Sequence, residues 1–135
     1  MFKIRKHVDY AIQLLVGLSA VSEGTVVSLQ RFSKESTISF LFLQKIARDL
    51  RTAGMIHSVK GAGGGYVLSK PLEHISLLDV IHALEGSYAI APCNVKGACC
   101  GKEKTCRIKN PMKRVNDRLM QEMQDIPISA FQDHL

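Results

Sequence analysis

Residues 55–68 read MIHSVKGAGGGYVL and place two short runs of strand-forming residues on either side of a glycine-rich turn. Met55 to Lys60 predicts one strand, and Tyr66 to Leu68 predicts the other. The turn between them requires positive backbone angles, which glycine adopts at little cost. A strand-like segment follows the glycines, whereas a P-loop or a dinucleotide-binding fingerprint needs a helix there. The stretch therefore predicts a β-hairpin.

Three predicted helices precede this hairpin. Apolar residues recur at helical spacing in residues 6–22. Ser28 is the expected N-cap of a short helix through residue 33, and Ser39 that of a longer helix ending at Gly54. Helices joined by tight polar turns are typical of a helix-turn-helix, and a hairpin behind it makes a winged helix. The predicted fold class is mainly α with a small β-hairpin.

Charge and hydropathy restrict the class of partner. Eighteen Lys and Arg against twelve Asp and Glu give a net charge of +6, which favours a polyanionic partner. Asp9 and Gln13 interrupt the most apolar stretch, residues 8–21, well short of the roughly 18 uninterrupted apolar residues of a membrane span. The same two residues argue against a signal peptide. We expect a cytoplasmic protein that does not bind membranes.

The predicted third helix and the hairpin carry candidate residues for double-stranded DNA. Early positions of a recognition helix meet base edges, and cations further along meet phosphates. A tip of small residues can approach a DNA backbone closely, with a neighbouring lysine supplying charge. The candidates are Ser39, Leu41 and Gln44 for bases, Lys45, Arg48 and Arg51 for phosphates, and Lys60 with Gly61 at the hairpin.

All four cysteines, Cys93, Cys99, Cys100 and Cys106, lie in one loop. Such clustering gives little crosslinking, and in a reducing compartment it favours metal or redox chemistry. The spacing contains no Cys-x2–4-Cys knuckle of the kind structural zinc sites use. Thiolates spread over a glycine-containing loop can wrap a larger object, such as an iron–sulfur cluster. Zinc and free reactive thiols remain alternatives on the residues alone.

The last predicted helix spans residues 111–125, with Asn110 as its cap and Pro111 in its first turn. Its apolar stripe predicts a partner helix from a second chain, and packing on the first helix of its own chain is the alternative. We favour a homodimer, because helix-turn-helix proteins commonly bind paired half-sites. No catalytic triad, carboxylate pair or hydrolase motif supports an enzyme. The expected organisation is a winged helix-turn-helix domain at 1–85, a cluster-binding loop at 86–109, and a dimerisation helix with a C-terminal tail at 110–135.

Taken together, these features resemble the IscR/NsrR family of winged-helix iron–sulfur transcription regulators over nearly the whole chain. The wing segment followed by spaced cysteines is the specific combination. The matching segments are Val8-Asp9-Tyr10-Ala11-Ile12, Ile38-Ser39-x-x-Phe42-Leu43-x-Lys45-Ile46, Leu50-Arg51-x-x-Gly54-Met55-Ile56, and Ser58-Val59-Lys60-Gly61-x-Gly63-Gly64-Gly65-Tyr66.

The resemblance implies roles for individual residues. It places Ser39, Leu41, Phe42 and Gln44 on the DNA-reading helix and Lys60 on the wing. It implies a 2Fe–2S or 4Fe–4S cluster held by Cys93, Cys106 and one of Cys99 or Cys100. The histidine that follows the third cysteine in cluster-assembly regulators is missing here. Asp9 instead matches an aspartate that completes the cluster from the partner subunit in nitric-oxide-sensing members.

The expected function is a DNA-binding transcriptional regulator, in the first instance a repressor. An iron–sulfur cluster that senses nitric oxide, iron, redox or cluster status would set its DNA affinity. The alternative is a regulator of the same fold without a cluster, controlled by zinc, thiol oxidation, a small molecule or a protein partner.

Overall fold

The computed structural model describes residues 3–95, 101–102 and 104–134. This part of the chain holds five α-helices and a two-stranded antiparallel hairpin, which confirms the predicted fold class. The elements are α1 (Lys6–Ser19), α2 (Leu29–Ser36), α3 (Phe40–Thr52), β1 (Ile56–Val59), β2 (Gly65–Leu68), α4 (Leu77–Glu85) and α5 (Lys109–Asp125). Short 3-10 helices lie at Leu72–His74, Pro92–Asn94 and Ile128–His134. α1 ends earlier than residue 22, and α2 continues past residue 33.

The core forms where α3 packs against α1 and α4. On α3 the residues Leu43, Ile46, Ala47 and Leu50 are almost fully buried, and their spacing puts them on one face of the helix. Because these four residues face inward, the polar residues between them point to solvent. The hydrophobic spacing therefore determines which face of α3 is available to a ligand.

The hairpin is held to the helical part by a third short segment. β1 and β2 pair from Ile56 with Leu68 to Val59 with Gly65. Val27, in the connection between α1 and α2, exchanges two backbone hydrogen bonds with Tyr66, of 3.0 and 2.9 Å. These bonds fix the hairpin beside α2 and α3.

The turn needs its glycines for two different physical reasons. Within the turn, all of whose residues are described, Gly61 takes a positive φ of 119°, and the other glycines do not. The expectation of positive angles is therefore correct for Gly61 alone. Gly65 is required instead by close packing, since a Cβ atom there would lie 2.2 Å from the carbonyl oxygen of Val27.

The variant Gly65→Ala is expected to lower the free energy of unfolding by about 2 kcal/mol, because the clash breaks the two hydrogen bonds between Val27 and Tyr66. Thermal unfolding should then occur about 6–10 °C lower. Gly63→Ala is the matched control, since a Cβ atom at Gly63 meets nothing within 4 Å. Equal melting temperatures for the two variants would contradict this account of the wing.

α5 begins earlier than the sequence predicts. It starts at Lys109, with Ile108 as the N-cap residue and no side-chain capping bond, so the assignment of Asn110 as the cap is wrong. Pro111 is the third helical residue. The first amides of a helix have no partner inside it, so the missing N–H of proline costs nothing there. Among the described helices none is both long enough and apolar enough to span a bilayer.

The segment after α5 returns to the N-terminal core. The Leu77 N–H donates to the Ile126 carbonyl at 2.8 Å, and the Ile128 N–H donates to the Ile75 carbonyl at 2.8 Å. Ile128 is fully buried. The Gln132 side chain donates to the Ser19 hydroxyl at 3.0 Å. The C-terminal residues thus complete the core around α1 and α4.

Candidate nucleic-acid interface and cysteine loop

The outer face of α3 carries every residue that the sequence predicts to contact DNA from this helix. Leu41 is 76% exposed, an unusual degree for a leucine on a packed helix. Ser39 precedes the first turn and makes no side-chain capping bond. The other predicted contacts are also exposed: Phe42, Gln44, Lys45, Arg48 and Arg51.

A groove of about 550 Å³ separates α3 from the wing. Gln44, Arg48 and Arg51 line it on the α3 side, and Gly61 with Ala62 line it on the wing side. Neither arginine has an ion-pair partner within the described part of the chain. Two unpaired guanidinium groups beside a turn of small residues suit a phosphate backbone.

Residues at the start of α2 also line the groove, although the sequence did not predict them to contact DNA. The hydroxyl of Ser28 accepts the Arg31 N–H at 3.5 Å, and Ser28 and Gln30 line the groove. The first helix of a helix-turn-helix commonly crosses the DNA backbone. Arg31 is exposed on the same helix, and its hydrogen bond to Glu35 raises the pKa of its guanidinium, which stays cationic. In the sequence, the prediction of Ser28 as the N-cap of this helix is the feature that marks where α2 begins and hence where these contacts lie.

The opposite flank of α3 faces the start of α1. Phe42 and Lys45 line a second cavity, of about 590 Å³, together with His7 and Glu85. The Phe42 ring meets the Tyr10 ring edge-on, with centroids 5.6 Å apart. These two predicted DNA residues therefore lie away from the wing groove, on the side of the helix that α1 contacts.

On the wing, Lys60 and Gly61 directly follow β1, and both are exposed. Lys60 has no hydrogen-bond or ion-pair partner among the residues that the structure describes. The wing thus carries an exposed cation next to Gly61, which lines the same groove as Arg48 and Arg51.

The structure places two of the four cysteines. Cys93 lies in the 3-10 helix after Ala91, and Cys106 lies shortly before α5; both are half-buried free thiols. Cys99 and Cys100 lie outside the described residues. Within residues 3–95, 101–102 and 104–134, no group of three Cys, His, Asp or Glu side chains comes together as a metal site. Asp9 is exposed on α1, and its Oδ1 accepts the Gln13 amide at 3.3 Å.

The surroundings of Cys93 fit a sulfur-rich group. The Nδ2 atom of Asn94, the next residue, is buried and has no hydrogen-bond partner among the described residues. Thiols are the ligands that iron–sulfur clusters use, and hydrogen bonds to the sulfurs are part of such sites. The two described thiols and the amide of Asn94 are thus groups of the kind that a cluster site uses.

A buried hydrogen bond fastens the start of the cysteine loop to α5. The Oδ1 of Asn116 accepts the Ile90 N–H at 3.1 Å, and Asn116 is one of the two buried polar residues in the described core. The bond thus connects the loop directly to α5. This contact joins residues 26 positions apart.

The variant Asn116→Ala is expected to destabilise the protein by about 1–3 kcal/mol, because it leaves the Ile90 N–H without an acceptor. Hydrogen exchange at the Ile90 amide should accelerate more than at core amides such as that of Leu50. Asn110→Ala serves as control, since Asn110 is exposed on the same helix. If exchange at Ile90 is the same in both variants, Asn116 does not hold the loop.

Comparison with known proteins agrees with this geometry. The sequence profile of the Rrf2 family, described as iron-dependent transcriptional regulators, matches residues 4–134. The HTH-type transcriptional regulator IscR of Escherichia coli is 32% identical over 122 residues, covering 90% of this chain and 75% of the relative.

Solved structures share the fold over nearly the full length. CymR, the global cysteine regulator of B. subtilis, superposes with a TM-score of 0.75 at 24% identity, covering 100% of this chain and 99% of that one. The IscR of T. potens superposes with a TM-score of 0.72 at 23% identity, covering 98% and 87%. The extent of the profile match and the identity to a transcriptional regulator establish that this chain belongs to the Rrf2 family.

Proposed function

We propose that this chain is a cytoplasmic, homodimeric repressor that binds double-stranded operator DNA and whose DNA affinity is set by an iron–sulfur cluster. The groove between α3 and the wing carries this proposal, because it places Arg48 and Arg51 opposite a glycine tip that a sugar–phosphate backbone can approach. Gln44 lines the groove and Leu41 is exposed on the same helix, and these two side chains would contact base edges. Binding over a promoter would exclude polymerase.

The dimer is supported by the free side of α5. Val115 and Leu119 are four positions apart and share one face of α5, and the exposed apolar residues Ile108 and Ile126 flank the helix at its two ends. Ile108 is 61% exposed and Val115 is 50% exposed. The neighbouring face, with Asn116 and Met123, is buried against the protein's own core. An apolar stripe beside a buried one is typical of a helix that also packs on a second copy.

For the cluster we propose Cys93, Cys106 and one of Cys99 or Cys100 as ligands, with Asp9 of the partner subunit as the fourth. A bound cluster would supply iron–thiolate bonds that depend on iron supply, oxidants and nitric oxide. The loop residues would then connect the cluster to α5: Cys93 is three residues from Ile90, and the Ile90 N–H donates a hydrogen bond to Asn116 of α5. Loss of this connection would change how α5 packs on the core, and hence the separation of the two α3 helices in the dimer. A coupling free energy of about 1–3 kcal/mol is typical of such systems.

The test is anaerobic reconstitution with iron and sulfide, followed by DNA binding. A duplex operator is first selected from a random pool with the reconstituted protein. We expect visible absorption bands, a stoichiometric iron and sulfide content, and an affinity for the operator that differs about 5- to 150-fold from that of the apo protein. The double variant Cys93→Ala/Cys106→Ala should remain colourless and lose that difference. A colourless wild-type protein after reconstitution would refute the cluster.

A regulator without a cluster is the second candidate, favoured by one observation. CymR of B. subtilis, whose name is that of a cysteine regulator, shares the fold over this entire chain. In that case Cys93 and Cys106, both free thiols, would respond to oxidation or bind zinc. DNA binding that changes with peroxide or zinc, in a protein that takes up no iron, would establish this alternative.

A further inference from the structure

One buried polar atom in the cysteine loop has no hydrogen-bond partner among the residues that the structure describes. In the described part of the chain, two buried side-chain atoms lack a hydrogen bond, Oε1 of Glu85 and Nδ2 of Asn94. The Glu85 oxygen is 3.3 Å from Nε2 of His7 and 3.8 Å from Nε of Arg5, so cations compensate it. For the Asn94 amide, the described ranges contain no compensating partner.

The position of the unpaired amide is specific. Asn94 ends the 3-10 helix Pro92–Asn94 and follows Cys93 directly. Its backbone N–H is satisfied, because it donates to the Ala91 carbonyl at 3.0 Å. The side-chain amide is therefore not needed to hold the turn. A buried donor without an acceptor lowers stability, and in native proteins such a group calls for a specific explanation, such as a functional role or a bound water or ion.

The acceptor must meet three requirements. It has to lie within reach of the residue that directly follows Cys93, it has to accept from a neutral amide, and it gains most if it is anionic. Sulfur atoms carrying negative charge meet all three, either as the thiolate of a ligating cysteine or as a sulfide of the cluster.

We propose that the Asn94 amide donates an N–H···S hydrogen bond to the cluster or to one of its cysteine ligands, and so acts as a positioning residue for the cofactor. This inference rests on the proposed function. A donor to sulfur stabilises the added negative charge of the reduced state, so it raises the reduction potential. It also slows the loss of the cluster, since groups around metal ligands contribute strongly to retention.

The experiment compares the wild-type protein with Asn94→Leu, which keeps a side chain of the same branched shape and removes both donors. Asn110→Leu is the control, because Asn110 is exposed on α5 and has no place in the loop. Each protein is reconstituted anaerobically, titrated with mediator dyes, and exposed to a chelator. Resonance Raman spectra report the iron–sulfur stretching bands.

For Asn94→Leu we expect a more negative reduction potential, shifted stretching bands, and loss of the cluster to the chelator about tenfold faster. The apo form should be at least as stable as the wild type, because an unpaired donor has been removed. A conservative Asn94→Gln variant, which keeps the amide, should recover part of the wild-type potential.

Two outcomes separate this inference from the function it rests on. Suppose the wild type holds a cluster and Asn94→Leu has the same reduction potential, spectrum and cluster retention. The proposed hydrogen bond is then wrong, and the proposed cluster remains supported. If apo Asn94→Leu is less stable than apo wild type, the amide has an acceptor within the protein, and the inference is wrong. A wild type that takes up no cluster removes the proposed function and this inference together.

Discussion

Replacing both Arg48 and Arg51 by alanine is expected to weaken operator binding about 10- to 100-fold and to lower the salt slope of binding by about two. Each guanidinium that neutralises a phosphate releases roughly one counterion, so two fewer contacts remove about two units of slope. Both side chains are exposed and lack ion-pair partners in the described part of the chain, so the variant should fold normally. Titrations by fluorescence anisotropy at several salt concentrations measure both quantities.

The matched control is Lys113→Ala/Arg114→Ala, which removes two exposed cations from α5. It changes the net charge equally but leaves the α3 groove intact. Its affinity and slope should stay near the wild-type values. If the two double variants lose affinity to the same extent, net charge rather than the groove controls binding, and the proposed interface is wrong.

The DNA-reading face of α3 could be predicted because local spacing determines it. Leu43, Ile46 and Leu50 must be buried together, and this forces Gln44 and Arg48 outward. Which residues of that face lie toward the wing and which lie toward α1 could not be predicted. It depends on where the hairpin is fixed, and the Val27–Tyr66 bridge that fixes it joins segments nearly forty residues apart.

Two long-range contacts could not be predicted for the same reason: the hydrogen bond between Ile90 and Asn116, and the return of Ile128 to the core. Asn116 has no helical signature that distinguishes it from an exposed polar residue, and its partner Ile90 lies in an irregular segment. The return of Ile128 to the core also has no periodic signal, since the segment after α5 is short and mixed in polarity. Long-range contacts between irregular segments require the tertiary structure.

The double variant Val115→Glu/Leu119→Glu is expected to convert the dimer into a monomer and to reduce operator affinity by at least about 100-fold. Carboxylates facing each other across a helix pair lose apolar burial and repel. A monomer engages one half-site, so the advantage of linking two readers disappears. Sedimentation equilibrium should report half the wild-type mass. Affinity for an isolated half-site should change little, because α3 and the wing are untouched.

The fold of that variant is protected by the geometry of α5. Val115 is half exposed, whereas the buried residues Asn116 and Met123 on the adjoining face keep the helix seated on the core. Asn110→Asp/Gln124→Glu adds the same charge on the far side of the helix, where both residues are exposed, and should stay dimeric. A dimer in both double variants would show that α5 does not join the copies. The spacing of the two α3 helices would then need another interface.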